Sequence, residues 1–236
     1  MTQTISISFF RFDRWQDRLW AMSMMVAARA ILPRVADIGF WKLCGSGAGV
    51  GFDVVPNPKV FAILATWPDA QTAQARTSSA GIFQRYVKHA SETWTVFLNT
   101  TSVRGQWAGS APFDVSDEHH AGPLAVLTRA TIKTRNVLRF WQRVPDISAV
   151  IGDDPNVMFK IGIGEAPLLN QITFSVWPDA HSMAEFARRD GPHARAIRSV
   201  RDESWFKEEL YARFTIVGDR GTWGGSSPLT QTERPA

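Results

Sequence analysis

Cysteine is almost missing from this chain: Cys44 is the single thiol among 236 residues. That excludes an intramolecular disulfide and any thiolate-rich zinc site, and it fits a reducing compartment. Long apolar runs are missing as well. The most apolar window, Trp20–Leu32, is too short to span a bilayer and contains Arg29. The N-terminal stretch MTQTISISFFRFDR lacks the basic-then-apolar layout of a secretion signal. The net charge is only +4, with no basic run, which argues against nucleic acid as a partner. No Ser-His-Asp order or helical carboxylate pair stands out, and GIGEAP (162–167) lacks the G-x-G-x-x-G spacing of a nucleotide loop. The expectation is therefore a cytoplasmic globular protein, at most peripheral to the inner membrane.

Large apolar rings, by contrast, are abundant. Ten tryptophans and 15 phenylalanines stand against 2 tyrosines, a stock suited to a cavity for a flat or long hydrophobic ligand as well as to an ordinary core. Charge is spread unevenly. Residues 1–113 carry 11 Lys+Arg and 6 Asp+Glu, whereas residues 114–236 carry 15 and 16. A basic first half suits an anionic membrane face, where each charge adds about 1 kcal/mol.

The sequence also repeats itself. FAILATWPDA and ITFSVWPDA place Trp67 and Trp177 in the same context, and GQWAGSAP (105–112) answers GTWGGSSP (221–228). FWKLCGSG from Phe40 answers MFKIGIGE from Met158, aligning Lys42 with Lys160. In the first copy, alternation and turn residues predict strands at Ile5–Phe12, around GFWKLCGS, at VFAILATW and at WTVFLNTTS. Helices are predicted from Arg14 to about Ala36, with Trp15, Leu19, Met22 and Val26 at helical spacing, and from Asp69 to about Glu92. The second copy predicts strands Leu124–Ala130, Val157–Gly164, Gln171–Trp177 and Leu210–Val217, with helices Ile132–Val150 and Asp179–Ser204.

The expected fold is α+β: two tandem ferredoxin-like units, a duplicated βαββαβ, packed as a dimeric-α/β-barrel-type fold. The N-terminal unit covers 1–113, a polar linker 114–123 and the C-terminal unit 124–236.

Where the copies differ, function has room. With the WPDA motifs aligned, Phe83 matches His193, and the inward stripe Phe83, Tyr86, Val87, Ala90 becomes His193, Ala196, Ile197, Val200. An inward imidazole beside small residues leaves two readings open, a hydrogen-bonded core histidine or an axial ligand to haem iron. Gly191-Pro192 predicts a helix break just before it. His119 and His120 fall in the polar linker, His181 in a helix-capping region and His89 at the edge of its stripe. Cys44 competes as a thiolate ligand, although an apolar strand favours an inert thiol. Arg195, Arg198, Lys42 and Lys160 are candidates to pair with carboxylates such as haem propionates.

FKIGIGE, ITFSVWPDAHSMAEFA, DGPHARAIR, EELYARF and GTWGG, with LTRATIK, FWK and the first WPDA, together resemble the spheroidene monooxygenases, acyclic carotenoid 2-ketolases of purple phototrophic bacteria. The resemblance implies a haem b-dependent oxygenase that hydroxylates C2 of an acyclic carotenoid such as spheroidene, using O2 and reduced ferredoxin. A second hydroxylation gives a geminal diol that loses water to the ketone. It also implies a barrel shared with chlorite dismutase and dye-decolourising peroxidase, which hold haem through a histidine of the C-terminal unit. His193 is the residue this sequence offers to the iron, with Lys160, Arg195 and Arg198 beside the cofactor. No distal acid or base is assigned, leaving arginine (Arg188 or Arg189) or water to assist O–O cleavage. The aromatic rings are expected to line a slot for the polyene, its mouth at the bilayer. Three alternatives stay open: another haem enzyme on this barrel, aldoxime dehydratase-like; a cofactor-free oxygenase; and a carotenoid or lipid carrier.

Overall fold

Eight antiparallel strands close into one barrel in the order β1-β3-β2-β6-β7-β5-β8-β4. The computed structural model describes residues 2–47, 56–117, 122–137, 156–165, 169–188 and 205–230. The first half supplies β1 (Thr4–Arg11), α1 (Trp15–Ile31), β2 (Trp41–Gly47), β3 (Pro56–Trp67), α2 (Ala70–Ser79), α3 (Gly81–His89) and β4 (Glu92–Gly105). The second supplies β5 (Leu124–Ile132), β6 (Phe159–Gly164), β7 (Asn170–Trp177), α4 (Ala180–Arg188) and β8 (Phe206–Gly221). Within the barrel the halves run β4-β1-β3-β2 and β8-β5-β7-β6, the same order twice.

The alternation legible in the sequence sorts side chains between two layers. Ile5, Ile7 and Phe9 of β1, Val60, Ala62 and Leu64 of β3, and Ile172, Phe174 and Val176 of β7 point into the barrel. Phe10, Leu43, Phe61, Ile63, Ala65 and Phe97 point outward and meet Ala21, Met24, Ala28, Ile82, Phe83 and Tyr86 of the first-half helices. Each large side chain so buried contributes about 1.5–3 kcal/mol.

Both WPDA motifs make the same corner. Trp67 and Trp177 are buried at strand ends. Asp69 Oδ1 accepts from the Thr72 N–H at 2.7 Å, and Asp179 Oδ1 accepts from the Ser182 N–H at 2.7 Å. The aspartate caps the helix that follows, satisfying one of its orphan donors.

The repeated G-x-W-x-G-S-x-P loops reach across the halves. After β4, the Ala108 and Gly109 N–H groups donate to Glu208 at the start of β8, at 2.8 and 2.7 Å. After β8, the Gly225 N–H donates to Glu92 at the start of β4, at 2.8 Å. Each loop is pinched by a bridge, Trp107 to Ser110 and Trp223 to Ser226. Its first glycine sits at positive φ, 94° for Gly105 and 92° for Gly221, where a Cβ would come within 2.0 Å of the Glu209 carbonyl oxygen or 2.2 Å of that of Thr93.

Several expectations need correction. The stripe Trp15, Leu19, Met22, Val26 faces solvent, and α1 instead buries Ala21, Met24 and Ala28. The helix expected over Asp69 to Glu92 breaks at Ala80, whose extended backbone (φ −67°, ψ 131°) ends α2 and caps α3. Val87 is exposed and Ile82 takes the inward place beside Phe83 and Tyr86. Lys42 and Lys160 are not equivalent. Trp41 pairs with Ala65 as Lys160 pairs with Ser175, so Trp41 is the counterpart of Lys160. That one-residue slip sends the two lysines to opposite faces of the sheet.

Candidate functional site

The barrel interior offers little space for a ligand, because the rings expected to line a slot pack on one another. Phe9 stacks on Trp94 with centroids 5.6 Å apart, and Phe159 lies 5.5 Å from Phe9 and 4.7 Å from Trp94. Elsewhere in the core Phe113 sits 6.2 Å from Trp107 and 5.6 Å from Phe214. The indole N–H groups of Trp67, Trp94 and Trp107 are also committed, to Ser6, Asp219 and Glu165 at 2.8 Å each.

Polar chemistry enters the barrel at the inward position where β5 replaces Phe9 with Arg129. The register fixes that correspondence, since Thr4 pairs with Trp67 as Leu124 pairs with Trp177. Arg129, 4% exposed, donates to Glu208 and lies under the Trp107 ring at 5.5 Å. Glu165 takes Lys42 Nζ at 2.8 Å and the Trp107 indole N–H. Each charge in this cluster has an opposite charge beside it, although Arg129 Nε, 3.8 Å from Glu165, makes no hydrogen bond. Although burial opposes it, the Gly109 and Ala108 N–H groups and Arg129 hold the Glu208 carboxyl below its ordinary range. The cluster ties β2, β5, β6, β8 and the loop after β4 together, a structural use of charge that survives because each member is paired.

An open surface groove of about 670 Å³ lies beside Trp67 and carries Asp37, Asp114 and Asp117. Its acidic lining does not match an apolar ligand.

The outer face of the second-half sheet differs from that of the first. Equivalent positions follow from the pairing registers. In the first half Phe10, Leu43, Phe61, Ile63 and Phe97 occupy this face, all at most 7% exposed. Their counterparts are Ala130, Gly162, Gln171, Thr173 and Arg213. Ser175 stands where Ala65 was, and Lys160 where Trp41 was. Gln171, Thr173 and Ser175 are nonetheless buried, at 9%, 9% and 7% exposure. Ser175 accepts from the Trp177 indole at 3.0 Å. A face whose first-half twin is packed with large apolar groups here carries small or polar ones, of which Gly162, Gln171, Thr173 and Ser175 are shielded from water while Arg213 is exposed. Hydroxyls, an amide and two cations stand on this face, a composition suited to the anionic edges of a ligand.

Comparison with characterised proteins decides the family. A relative from Cereibacter sphaeroides named spheroidene monooxygenase is 48% identical over 238 residues, spanning 99% of this chain and 74% of the relative. One of the same name from Rhodobacter capsulatus is 46% identical, over 95% of this chain and 94% of its own length. The chain belongs to the spheroidene monooxygenase family. A more distant member from Rubrivivax gelatinosus is 32% identical over 88% of this chain and 80% of its own length. No protein-family profile matches the chain. Among solved structures, an aldoxime dehydratase in complex with butyraldoxime superposes with a TM-score of 0.61 at 9% identity, covering 91% of this chain and 80% of the other. At that identity the likeness concerns the fold alone.

Of the residues the sequence singles out in this family member, Lys160 lies on the depleted outer face, on β6 beside Ser175 of β7. His193, Arg195 and Arg198 lie outside the described residues, as do His119, His120 and Arg189. Phe83, the aligned counterpart of His193, is 1% exposed and turns toward Trp67 on the outer face of its own sheet, ring centroids 6.2 Å apart. Cys44 points into the barrel, fully buried, where burial first and Glu165 second push its thiol well above the ordinary range. It lies in the packed barrel interior, on the opposite face of the sheet from Lys160 and the depleted outer positions. His89 is a structural residue, stacked on Trp20 at 4.0 Å and bonded through Nδ1 to Asp17 Oδ1 at 2.8 Å. His181 is exposed on the first turn of α4. Among the described residues no group of three or more His, Cys, Asp and Glu is placed to hold a metal ion.

Sequence reading missed the Arg129 cluster and the depleted face. The signal was present, because Ala62, Ile63 and Leu64 change to Ile172, Thr173 and Phe174 with apolarity kept on the inner positions alone.

Proposed function

We propose that this chain is a haem-dependent carotenoid monooxygenase, hydroxylating and then ketolating C2 of an acyclic carotenoid such as spheroidene. Membership of the spheroidene monooxygenase family supports the substrate class. The observation that carries the cofactor is the outer face of β5–β8, where five large apolar residues of the first half give way to Ala130, Gly162, Gln171, Thr173 and Arg213. The donor set fits. His193 would hold the iron through a neutral imidazole, and Lys160, Arg195 and Arg198 would meet the propionates. Haem, when bound, supplies the centre at which O2 is reduced with two electrons from a donor such as reduced ferredoxin, one oxygen atom entering the substrate and one leaving as water. The chain's own part is to bind, to orient and to exclude water. The shared strand order and the mirrored loops further support descent of the two halves from one duplicated unit.

The test is an absorption spectrum of protein made with ample haem, oxidised and then reduced under carbon monoxide, for the native chain and for His193→Ala. A Soret band with an imidazole-type carbonyl form, lost in His193→Ala while the circular dichroism is unchanged, is the expected result. No Soret band in the native chain after haem titration, or an unchanged spectrum in His193→Ala, overturns the assignment.

A further inference from the structure

Helix α1 carries an apolar stripe that nothing in the described structure covers. Trp15, Leu19, Met22 and Val26 are 65%, 56%, 53% and 76% exposed, on one face over about 16 Å of helix. They are not the by-product of an all-apolar helix, because α1 buries a different set, Ala21, Met24 and Ala28. Val87 adds an exposed apolar residue on α3, which is joined to α1 through Trp20, 5.1 Å from Tyr86 and stacked on His89. An exposed apolar stripe of this kind marks a contact surface.

The charges around the stripe are predominantly positive. Arg14, Arg29, Arg34, Arg85 and Lys88 are all exposed. The carboxylates at the N-terminal end of the stripe are Asp13, exposed beside Arg14, and Asp17, whose side chain is 18% exposed and met by His89 Nδ1 at 2.8 Å and Arg14 Nε at 3.9 Å. A second copy meeting this face across a two-fold axis would bring like charges together. An amphipathic helix with tryptophan on its apolar face and arginines at its margins is instead suited to lie in the interfacial layer of a bilayer. No described helix is long and apolar enough to cross a membrane, so such contact is along the surface.

We infer that the α1 stripe, with the arginine and lysine rim of α1 and α3, docks this protein on the surface of an anionic bilayer. The inference rests on the carotenoid reading above, since a polyene substrate is dissolved in the membrane and a carrier or oxygenase acting on it must meet that phase. The rim supplies long-range attraction, about five-fold in partition per cation at the surface. The stripe supplies insertion.

The experiment is flotation of the full chain with vesicles, free of carotenoid, made either of phosphatidylcholine or of one part phosphatidylglycerol to two parts phosphatidylcholine. The chain should float with the anionic vesicles, less so in high salt, and weakly with the neutral ones. Leu19→Ser with Val26→Ser should weaken partition at least about ten-fold, and Arg85→Glu with Lys88→Glu should abolish the preference for phosphatidylglycerol. All four side chains are exposed, so unchanged circular dichroism and melting establish that the variants fold. A chain that ignores both vesicles, or whose variants float undiminished, overturns the inference. So does a dimer that L19S/V26S converts to monomer, or binding of an acidic protein through Arg85 and Lys88 without any affinity for lipid. Because no carotenoid or haem enters the assay, its failure leaves turnover on detergent-dispersed carotenoid as a separate test of the enzymatic reading.

Discussion

Replacing Gly105 with alanine should be among the most damaging single-methyl changes available in this protein. Gly105 starts the loop after β4 with φ 94°, a conformation that costs an L-residue about 1–2 kcal/mol. The added Cβ would lie 2.0 Å from the Glu209 carbonyl oxygen, a backbone atom of β8 that cannot rotate away. Relief requires the loop to lift. Lifting breaks the Gln106 N–H to Glu209 bond of 2.9 Å and loosens the Ala108 and Gly109 donors on Glu208. One neutral bond is worth about 1 kcal/mol and bonds to a charged group about 1.5–3, so with the backbone strain the loss is about 4–6 kcal/mol. For a chain of this length that lowers Tm by about 8–24 °C. Gly109 is the control. It too has positive φ, 75°, but its Cβ would meet nothing within 4 Å, so Gly109→Ala should cost only the strain, about 1–2 kcal/mol. Thermal and urea unfolding followed by circular dichroism measure both. If the two variants melt together, the crossing of the loop onto β8 is not what the glycine serves.

Other predictions follow from the same contacts. Glu92 and Glu208 are held below the ordinary carboxylate range by backbone N–H donors and by Arg11 and Arg129 respectively, against the opposing effect of burial. Their contribution is therefore complete above their unfolded values of about 4.3 and lost as pH falls through the lower folded ones. Glu92→Gln with Glu208→Gln should flatten the acid limb of a stability–pH curve and leave its neutral-to-alkaline slope unchanged. Cys44, buried and raised, should react with a thiol reagent only at the rate of unfolding, so prompt labelling of the native protein would contradict its place in the barrel. Thr173→Ile with Gln171→Phe, which restores the first-half residues, should block haem uptake in a titration while the far-ultraviolet spectrum stays native. Undiminished uptake would move the cofactor off this face.

The fold was legible because its determinants are local and periodic. Alternating strands, the aspartates at 69 and 179 that cap helices, and the two loops at 105–112 and 221–228 each leave a pattern that needs no knowledge of the partner. What could not be read were choices made by tertiary contact. Helical spacing alone places Trp15, Leu19, Met22 and Val26 on one face but does not say which face is covered, and here α1 turns Ala21, Met24 and Ala28 to the sheet. Likewise the aligned lysines at 42 and 160 looked equivalent until the pairing of β2 and β6 with their neighbours placed one inside the barrel and one outside. Helical spacing did place Phe83 correctly, in the layer beneath the helices against the outer surface of its sheet.

That position gives the comparison of halves its energetic meaning. Five fully buried large apolar side chains contribute on the order of 8–15 kcal/mol, as much as the net stability of a typical domain. The first half retains that packing in Phe10, Leu43, Phe61, Ile63 and Phe97, and the second half forgoes it at the same register positions. A barrel selected for stability alone has no reason to leave one of two equivalent faces depleted. The deficit is tolerable if a bound group supplies the missing apolar contact, and such a group stabilises the native chain by RT ln(1 + [L]/Kd). Haem loading should therefore raise Tm, by about 6–11 °C at a hundred-fold excess over Kd, and Thr173→Ile with Gln171→Phe should cancel the rise by filling the space that the cofactor would occupy. A melting point indifferent to haem in the native chain would mean that the depleted face is balanced from within the protein, and the case for a cofactor there would fall with it.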